Sequence, residues 1–380
     1  MKKAIFIIVF FFLFLPSVFA AEEPKGVEEL YKEQAKISGA DQLEDGLPNE
    51  TKNALDRLGI EGIDWNSFSS LTPDKIFSEI VVQVKNQSPA PFQAMTTVLA
   101  IMLLSALLDS MKLSFGDRPL SGMIGVISTL CICASIVIPI VGCIGHMSTI
   151  IQNAANFMLL FVPVMTGIMI AGGQAVAASS YHVRMVGAGE VISQISSSFL
   201  GPMLGVFLAL SVVSSLSPKM NLSGACEMFH SVVKWVLSFV MSIFVSLLTI
   251  QSIVGTAADN TGTKTIKFAI GSFVPIVGGA LSDAFATVQG CVKLLKSGVG
   301  AFGMIAAGVI FIPAIVECLV WMISISICAS IGDIFELKQI SGMLRASGKV
   351  ISTMLVIILC CMMILIVSTV LILIIGGGAG

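Results

Sequence analysis

Apolar residues gather in long runs along this 380-residue chain, separated by short polar stretches. A helix needs about 17–25 mostly apolar residues to cross a bilayer. Eight runs reach that length and predict eight candidate membrane helices. They lie near 91–108, 122–144, 157–178, 195–216, 232–254, 268–290, 299–331 and 350–376.

The run 268–290 is open to two interpretations, because it carries Pro275, neighbouring glycines and Asp283. It is either a full crossing or a re-entrant, broken helix. Positively charged residues favour the cytoplasmic side of a membrane. A full crossing places eight of them inside and three outside, whereas a re-entrant segment gives seven and four. The count therefore favours eight crossings, with the C-terminus outside.

The first 20 residues have the order of a secretory signal peptide. Two lysines are followed by an apolar run over 4–15, and small residues at Val18 and Ala20 predict cleavage after Ala20. An uncleaved first anchor is the alternative. Under either interpretation, residues 21–89 are delivered across the membrane.

The exported region, residues 21–89, is acidic and contains a well-marked helix. It holds 14 of the 23 acidic and 7 of the 21 basic side chains, and none of the nine cysteines. No disulfide framework is therefore expected there. Thr72 is placed as the helix N-cap, with Pro73 at the first helical position and Asp74 in the first turn.

One face of this predicted helix is apolar and needs a surface to cover it. The face consists of Phe77, Ile80, Val81 and Val84. The covering surface is a partner protein, the membrane surface or the rest of the exported region. Packing on neighbours such as Leu55, Leu58 and Ile60 is the favoured alternative.

Composition supports a membrane protein and excludes several other classes. Hydrophobic residues make up 56% and charged residues 12% of the chain, and the mean hydropathy is +0.97. Soluble domains carry about 25% charged residues. Residues 90–380 hold 9 acidic and 12 basic side chains, too weak an excess for a nucleic-acid surface. The predicted fold is all-α and polytopic, with kinked helices and a small exported N-terminal helical region.

Two similar stretches raise the hypothesis of an internal repeat. "FVPVMTG" (161–167) and "FVPIVGG" (273–279) each place a proline within an apolar run. Pro163 is followed by Pro202 after 39 residues, and Pro275 by Pro313 after 38. All four are candidate helix kinks, because proline removes a backbone hydrogen bond.

The hypothesis divides the body into two helices within 90–156 and two three-helix units, 157–260 and 261–380. Three crossings per unit would invert one unit relative to the other, as in many transporters. The alternative is chance similarity, since apolar segments share few residue types.

Three charged residues within or beside the apolar runs are candidates for function. Glu317 is the deepest, and an ionisable group inside a membrane is costly unless it is paired. Asp283 and Lys234 are next, although Lys234 is also able to extend its amine to an interface. Glu317 either takes part in ion or proton transfer, or is a protonated carboxyl that forms a structural hydrogen bond between helices.

Catalytic signatures are absent from the sequence. The three histidines form no HExxH motif, and "GMLRASGKV" (342–350) lacks the spacing and the Ser/Thr of a phosphate-binding loop. We therefore expect no enzyme activity and no catalytic, cofactor-binding or metal-binding residues.

The exported stretch "GIDWNSFSSLTPDKIFSEI" (62–80), "FVPVMTGIMIAGG" and "FVPIVGGALSDAF" resemble the stage III sporulation protein AE family of endospore-forming bacteria. The resemblance covers nearly the whole chain. It implies a non-enzymatic subunit in the mother-cell membrane around the forespore, needed for late forespore development. The implied partners are other membrane subunits, a cytoplasmic ATPase and exported ring-forming proteins. No catalytic residues transfer with the resemblance.

The sequence leaves two functions open. The chain is a subunit of a channel or secretion-like complex, with residues 21–89 contacting partners between two membranes. The alternative is a stand-alone secondary transporter with a midplane site at Glu317. The signal peptide and the exported region favour the complex, because ordinary transporters seldom need either.

Overall fold

The computed structural model describes residues 25–60, 62–63, 71–115, 120–194, 201–216, 224, 228, 230–239, 241–246 and 278–375. The predicted signal peptide lies outside these residues. Every regular element in the described part is helical, which confirms the all-α prediction. The α-helices are α1 (Lys25–Ser38), α2 (Asn49–Leu58), α3 (Pro73–Gln87), α4 (Pro89–Phe115), α5 (Leu120–Ala171), α6 (Ala175–Gln194), α7 (Gly201–Leu216), α8 (Gly278–Ile334) and α9 (Lys338–Ile375).

Local sequence determines the ends of the short N-terminal helices. α2 ends at Gly59, which adopts a left-handed φ of 79° and donates its N–H to the carbonyl of Asp56. Glycine is favoured there because it has no Cβ to clash. α3 begins at Pro73 with Thr72 at the N-cap, as predicted, although the threonine hydroxyl makes no capping hydrogen bond.

Four described helices are long and apolar enough to cross a bilayer, which supports a multi-pass membrane protein. The qualifying stretches are Pro89–Leu108, Ile127–Ala171, Gln289–Ile334 and Lys338–Val370. The predicted total of eight crossings is wrong, because the run 122–144 and the first part of the run 157–178 share α5, and α8 joins part of the run 268–290 to the run 299–331. One continuous helix crosses a bilayer once.

Two of these helices are longer than the sequence pattern predicts. The run 122–144 and the first part of the run 157–178 belong to one continuous helix, α5, which ends at Ala171. α8 joins residues 278–290 to the run 299–331. The intervening residues contain no proline, and helices tolerate the polar side chains found there. The 45 residues of Ile127–Ala171 extend about 68 Å at 1.5 Å per residue. A hydrocarbon core is about 30 Å thick, so part of each helix lies beyond it.

α8 is the central helix and runs antiparallel to both α5 and α9. Its contacts with α9 proceed from Gly332 beside Ser341 to Gly300 beside Leu373. Against α5, Gly303 faces the ring of Phe161. Between residues 295 and 322, α8 has no large hydrophobic side chain exposed, so neighbouring helices enclose it.

The N-terminal helices pack against this helical body. Tyr31 of α1 donates a hydrogen bond of 2.8 Å to the carbonyl of Ile63. A Cβ added at Gly298 of α8 would lie 2.5 Å from the Tyr31 hydroxyl, and one at Gly46 would lie 2.1 Å from Leu160 of α5. The N-terminal segment that the sequence predicts to be exported is therefore docked on α5 and α8 and is not a detached tail.

An ion pair joins α2 to α3. The Arg57 guanidinium donates two hydrogen bonds, of 2.6 and 2.8 Å, to the carboxylate of Glu79. Gln83 donates a third bond of 2.8 Å to the same carboxylate, whose residue is 2% exposed. The bond to Glu79 raises the pKa of Arg57 above its ordinary value. This fork fixes which face of α3 turns inward.

We expect Arg57→Gln to destabilise the docked N-terminal helices. The change leaves a buried carboxylate with one remaining partner, and such losses cost about 1–3 kcal/mol. Chemical unfolding of the detergent-solubilised protein measures the difference. Lys52→Gln is the control, since its 3.7 Å pair with Asp45 is solvated and exposed pairs contribute about 0–1 kcal/mol. Equal losses in both variants would contradict the assigned role of the fork.

We expect Gly303→Ala to destabilise the contact between α5 and α8. The added Cβ would lie 2.3 Å from Cε2 of Phe161, whose ring is 1% exposed and has no space to move into. Overpacking of this kind costs about 1–3 kcal/mol. Thermal unfolding should show the loss, and Phe161→Leu in the same chain should reverse part of it. Gly342→Ala is the control, because nothing lies within 4 Å of its added Cβ.

Candidate functional site

The predicted apolar face of α3 remains exposed in the folded chain. Phe77 is 69% exposed, Val81 50% and Val84 40%, while Ile80 is half-buried. We call these four residues the α3 stripe. It lies in the region that the sequence predicts to be exported.

The favoured alternative, in which the α3 stripe packs on α2 and the residues after it, is wrong for the three exposed side chains. Leu55, Leu58 and Ile60 are buried, whereas these three residues of the stripe remain exposed. The Arg57–Glu79 pair turns a polar face of α3 toward α2 instead. A fully charged, bidentate bond outweighs the apolar contact that periodicity alone favours.

A second candidate joins α5 to α8, and we call it the polar centre. His146 Nδ1 lies 2.6 Å from Oε2 of Glu317. The Glu317 side chain is 12% exposed and that of His146 36%. Both residues lie within the apolar stretches that are long enough to span a bilayer. Glu317, predicted as the deepest charge, is therefore paired.

Other ionisable groups surround the polar centre. The thiol groups of Cys143 and Cys318 interact beside it, and Glu50 of α2 lies within electrostatic reach of His146. Among the described residues, no group of three or more His, Cys, Asp or Glu side chains is arranged to hold a metal ion. The centre can bind or release a proton and can link the two helices.

The four candidate prolines occupy different positions. Pro163 and Pro313 lie inside α5 and α8, which continue through them. Pro202 is the second residue of α7, and residues 195–200 before that helix lie outside the described part. Pro275 lies outside the described residues. The kinks at all four prolines therefore stay predictions.

The two remaining polar candidates lie elsewhere. Asp283 is in the first part of α8, and its side chain is outside what the structure describes. Lys234 is exposed on the helical stretch 230–246 and lies within electrostatic reach of His230, as does Lys349.

Sequence reasoning missed polar contacts within the helical body. The partner of Glu317 is 171 residues away, and no sequence motif marks His146 as that partner. Lys296 of α8 is 5% exposed and donates a 2.8 Å hydrogen bond to the side chain of Gln174, at the turn between α5 and α6. Lys296 lies between the predicted runs 268–290 and 299–331, so the sequence pattern did not mark it as buried.

Comparison with known proteins gives the family. The family described as Stage III sporulation protein AE matches residues 65–377. The Stage III sporulation protein AE of Bacillus subtilis (strain 168) is 24% identical over 161 residues, which is 42% of this chain and 40% of that protein. The aligned region thus spans less than half of either protein, and no solved structure matches the chain. The family match covers most of the chain and confirms the resemblance, so the chain belongs to the stage III sporulation protein AE family.

Proposed function

We propose that this sporulation protein is a non-enzymatic membrane subunit of a channel-like, secretion-like complex that joins mother cell and forespore. It would reside in the mother-cell membrane around the forespore, with residues 21–89 on the extracytoplasmic side. Its partners would be other membrane subunits, a cytoplasmic ATPase and exported ring-forming proteins. The family assignment supports the sporulation role, and the α3 stripe supports the place in a complex.

The α3 stripe is the observation that carries this proposal. Its three exposed side chains lie on one helix face, and contiguous apolar patches of this kind commonly mark contact surfaces. The helix beneath is held in place by the Arg57–Glu79 bonds, so the patch is presented on a fixed element. A rigid, preformed patch loses little conformational freedom when a partner binds.

We expect Phe77→Asp combined with Val81→Asp to abolish sporulation while leaving membrane insertion intact. The changes place charges in the proposed contact and touch no buried residue of α3. Heat-resistant spore counts in an endospore-forming host measure function, and co-purification with the neighbouring sporulation subunits measures partner capture.

Ser78→Asp is the matched control for this variant. Ser78 is an exposed residue of the same helix, next to Phe77 but outside the α3 stripe. It receives the same charge and should retain both sporulation and co-purification. Normal spore counts in the double variant would contradict the proposed contact, and loss in the control would show that any added charge disrupts α3.

The polar centre favours a second candidate, the stand-alone secondary transporter. Paired ionisable residues within membrane helices often mark proton or ion pathways. Glu317→Gln separates the candidates, since it removes the charge but keeps an oxygen that accepts a hydrogen bond from His146. If the chain is a subunit of a complex, we expect nearly normal spore counts for this variant. Loss of sporulation, with an unchanged amount of protein in the membrane, would favour the transporter.

A further inference from the structure

Basic side chains from two separate segments lie beside the contact between His230 and α9. Lys234 belongs to the helical stretch 230–246, and Arg345 and Lys349 belong to the first part of α9. Lys234 and Lys349 both lie within electrostatic reach of His230. We call Lys234, Arg345 and Lys349 the cationic cluster.

A hydrogen-bond chain fixes the relative position of the two segments. Thr353 donates its hydroxyl proton to the carbonyl of Lys349, at 2.8 Å. Its hydroxyl oxygen must therefore accept from Nδ1 of His230, with which it is hydrogen-bonded. Thr353 is fully buried, so this bond joins the two segments in a site without competing water. Lys234 and Lys349 are thereby held near one another.

The cationic cluster concentrates positive charge in a small region. Arg345 pairs with Asp333 across the turn between α8 and α9. Lys234 and Lys349 add two further positive charges on either side of His230, of which Lys234 is exposed and Lys349 half-buried. A phosphate placed near both lysines would gain Coulomb attraction from each of them.

Both lysines lie where a long uncharged run begins. After Lys234 the next charged residue is Asp259, and after Lys349 no charged residue follows up to residue 380. Basic residues at such boundaries lie at the headgroup level, where they meet anionic lipids. Two segments reach this boundary at the same place, which puts the cationic cluster at the membrane surface.

An exposed apolar stripe leads from Lys234 into its uncharged run. Trp235 and Phe239 are 68% and 53% exposed, and their rings stack with centroids 5.5 Å apart. Ile243, which is 45% exposed, continues the same face one turn further. A charged end followed by an apolar stripe matches a molecule with an anionic head and a hydrocarbon tail.

We propose that the cationic cluster binds the phosphate of an anionic phospholipid, whose acyl chain lies along Trp235, Phe239 and Ile243. Lys234 and Lys349 hold the phosphate as point charges, and Arg345 is shared with Asp333. Phosphate from a free metabolite has the same headgroup chemistry but no acyl chain to cover the aromatic stripe. The proposal is independent of the α3 stripe and of the complex in which the chain acts.

Thermal unfolding of the full chain, purified in a neutral detergent, tests the site. Phosphatidylglycerol, phosphatidylcholine with the same acyl chains, and inorganic phosphate are added separately. We expect phosphatidylglycerol to raise the unfolding temperature and the other two to leave it nearly unchanged. An equal rise with phosphatidylcholine would overturn the role of charge. A full rise with inorganic phosphate alone would overturn the assignment to a lipid.

Substitutions of the two lysines test whether phosphatidylglycerol raises the unfolding temperature by binding at the cationic cluster. Lys234→Gln combined with Lys349→Gln should abolish the rise with phosphatidylglycerol. Lys234→Gln alone should raise the half-saturating lipid concentration about fivefold, because each lysine near a membrane surface contributes roughly that factor. The single variant changes only an exposed side chain, so it remains informative if the double variant fails to fold.

Lys293→Gln is the control, because Lys293 is an exposed lysine of α8 outside the cationic cluster. It should retain the full response to phosphatidylglycerol. If Lys234→Gln responds to phosphatidylglycerol as the unchanged chain does, the proposed site is wrong.

Discussion

The close approach of neighbouring elements to α8 at its glycines is the constraint on which the rest of this structure depends. Gly298, Gly300 and Gly303 fall within two turns and face Tyr31 of α1, Leu373 of α9 and the Phe161 ring of α5. An added Cβ at each would lie 2.5 Å or less from these side chains. Small residues allow helices to approach in this way where lipid removes much of the hydrophobic driving force. One short segment thus joins the N-terminal helices to two long helices.

The N-terminal helices are docked through this segment, so the orientation of α3 decides which of its side chains a partner can reach. The Arg57–Glu79 bonds turn the polar face of α3 inward and leave Phe77 and Val81 outside. An exposed apolar surface is therefore presented by a helix that hydrogen bonds hold in one orientation. That arrangement fits a protein that assembles with others better than one that acts alone.

Polar side chains within the helical body join helices that are distant in sequence. His146 meets Glu317, Lys296 meets Gln174, and His230 meets Thr353. Each contact pairs a hydrogen-bonding group with a partner, because an unpaired polar group at such depth costs several kcal/mol. The cationic cluster differs, since two lysines and an ion-paired arginine lie near the place where uncharged runs begin. It is the part of the body best suited to bind an anion.

The sequence by itself determined the features that depend on neighbouring residues. The helical class followed from the apolar runs, the start of α3 from Thr72 and Pro73, and the apolar face of that helix from its periodicity. Tertiary structure decided which face of α3 is exposed and which groups pair inside the helical body, because both depend on residues far apart in the chain. The direction of the α3 stripe depends on Arg57, 22 residues before Glu79, and the pairing of Glu317 depends on His146, 171 residues away. The continuity of α5 was also missed, since an apolar pattern shows where a helix is buried but not that polar residues between two runs continue it. Periodicity reports only local order, whereas an ion pair or a close glycine contact is a property of the packed chain.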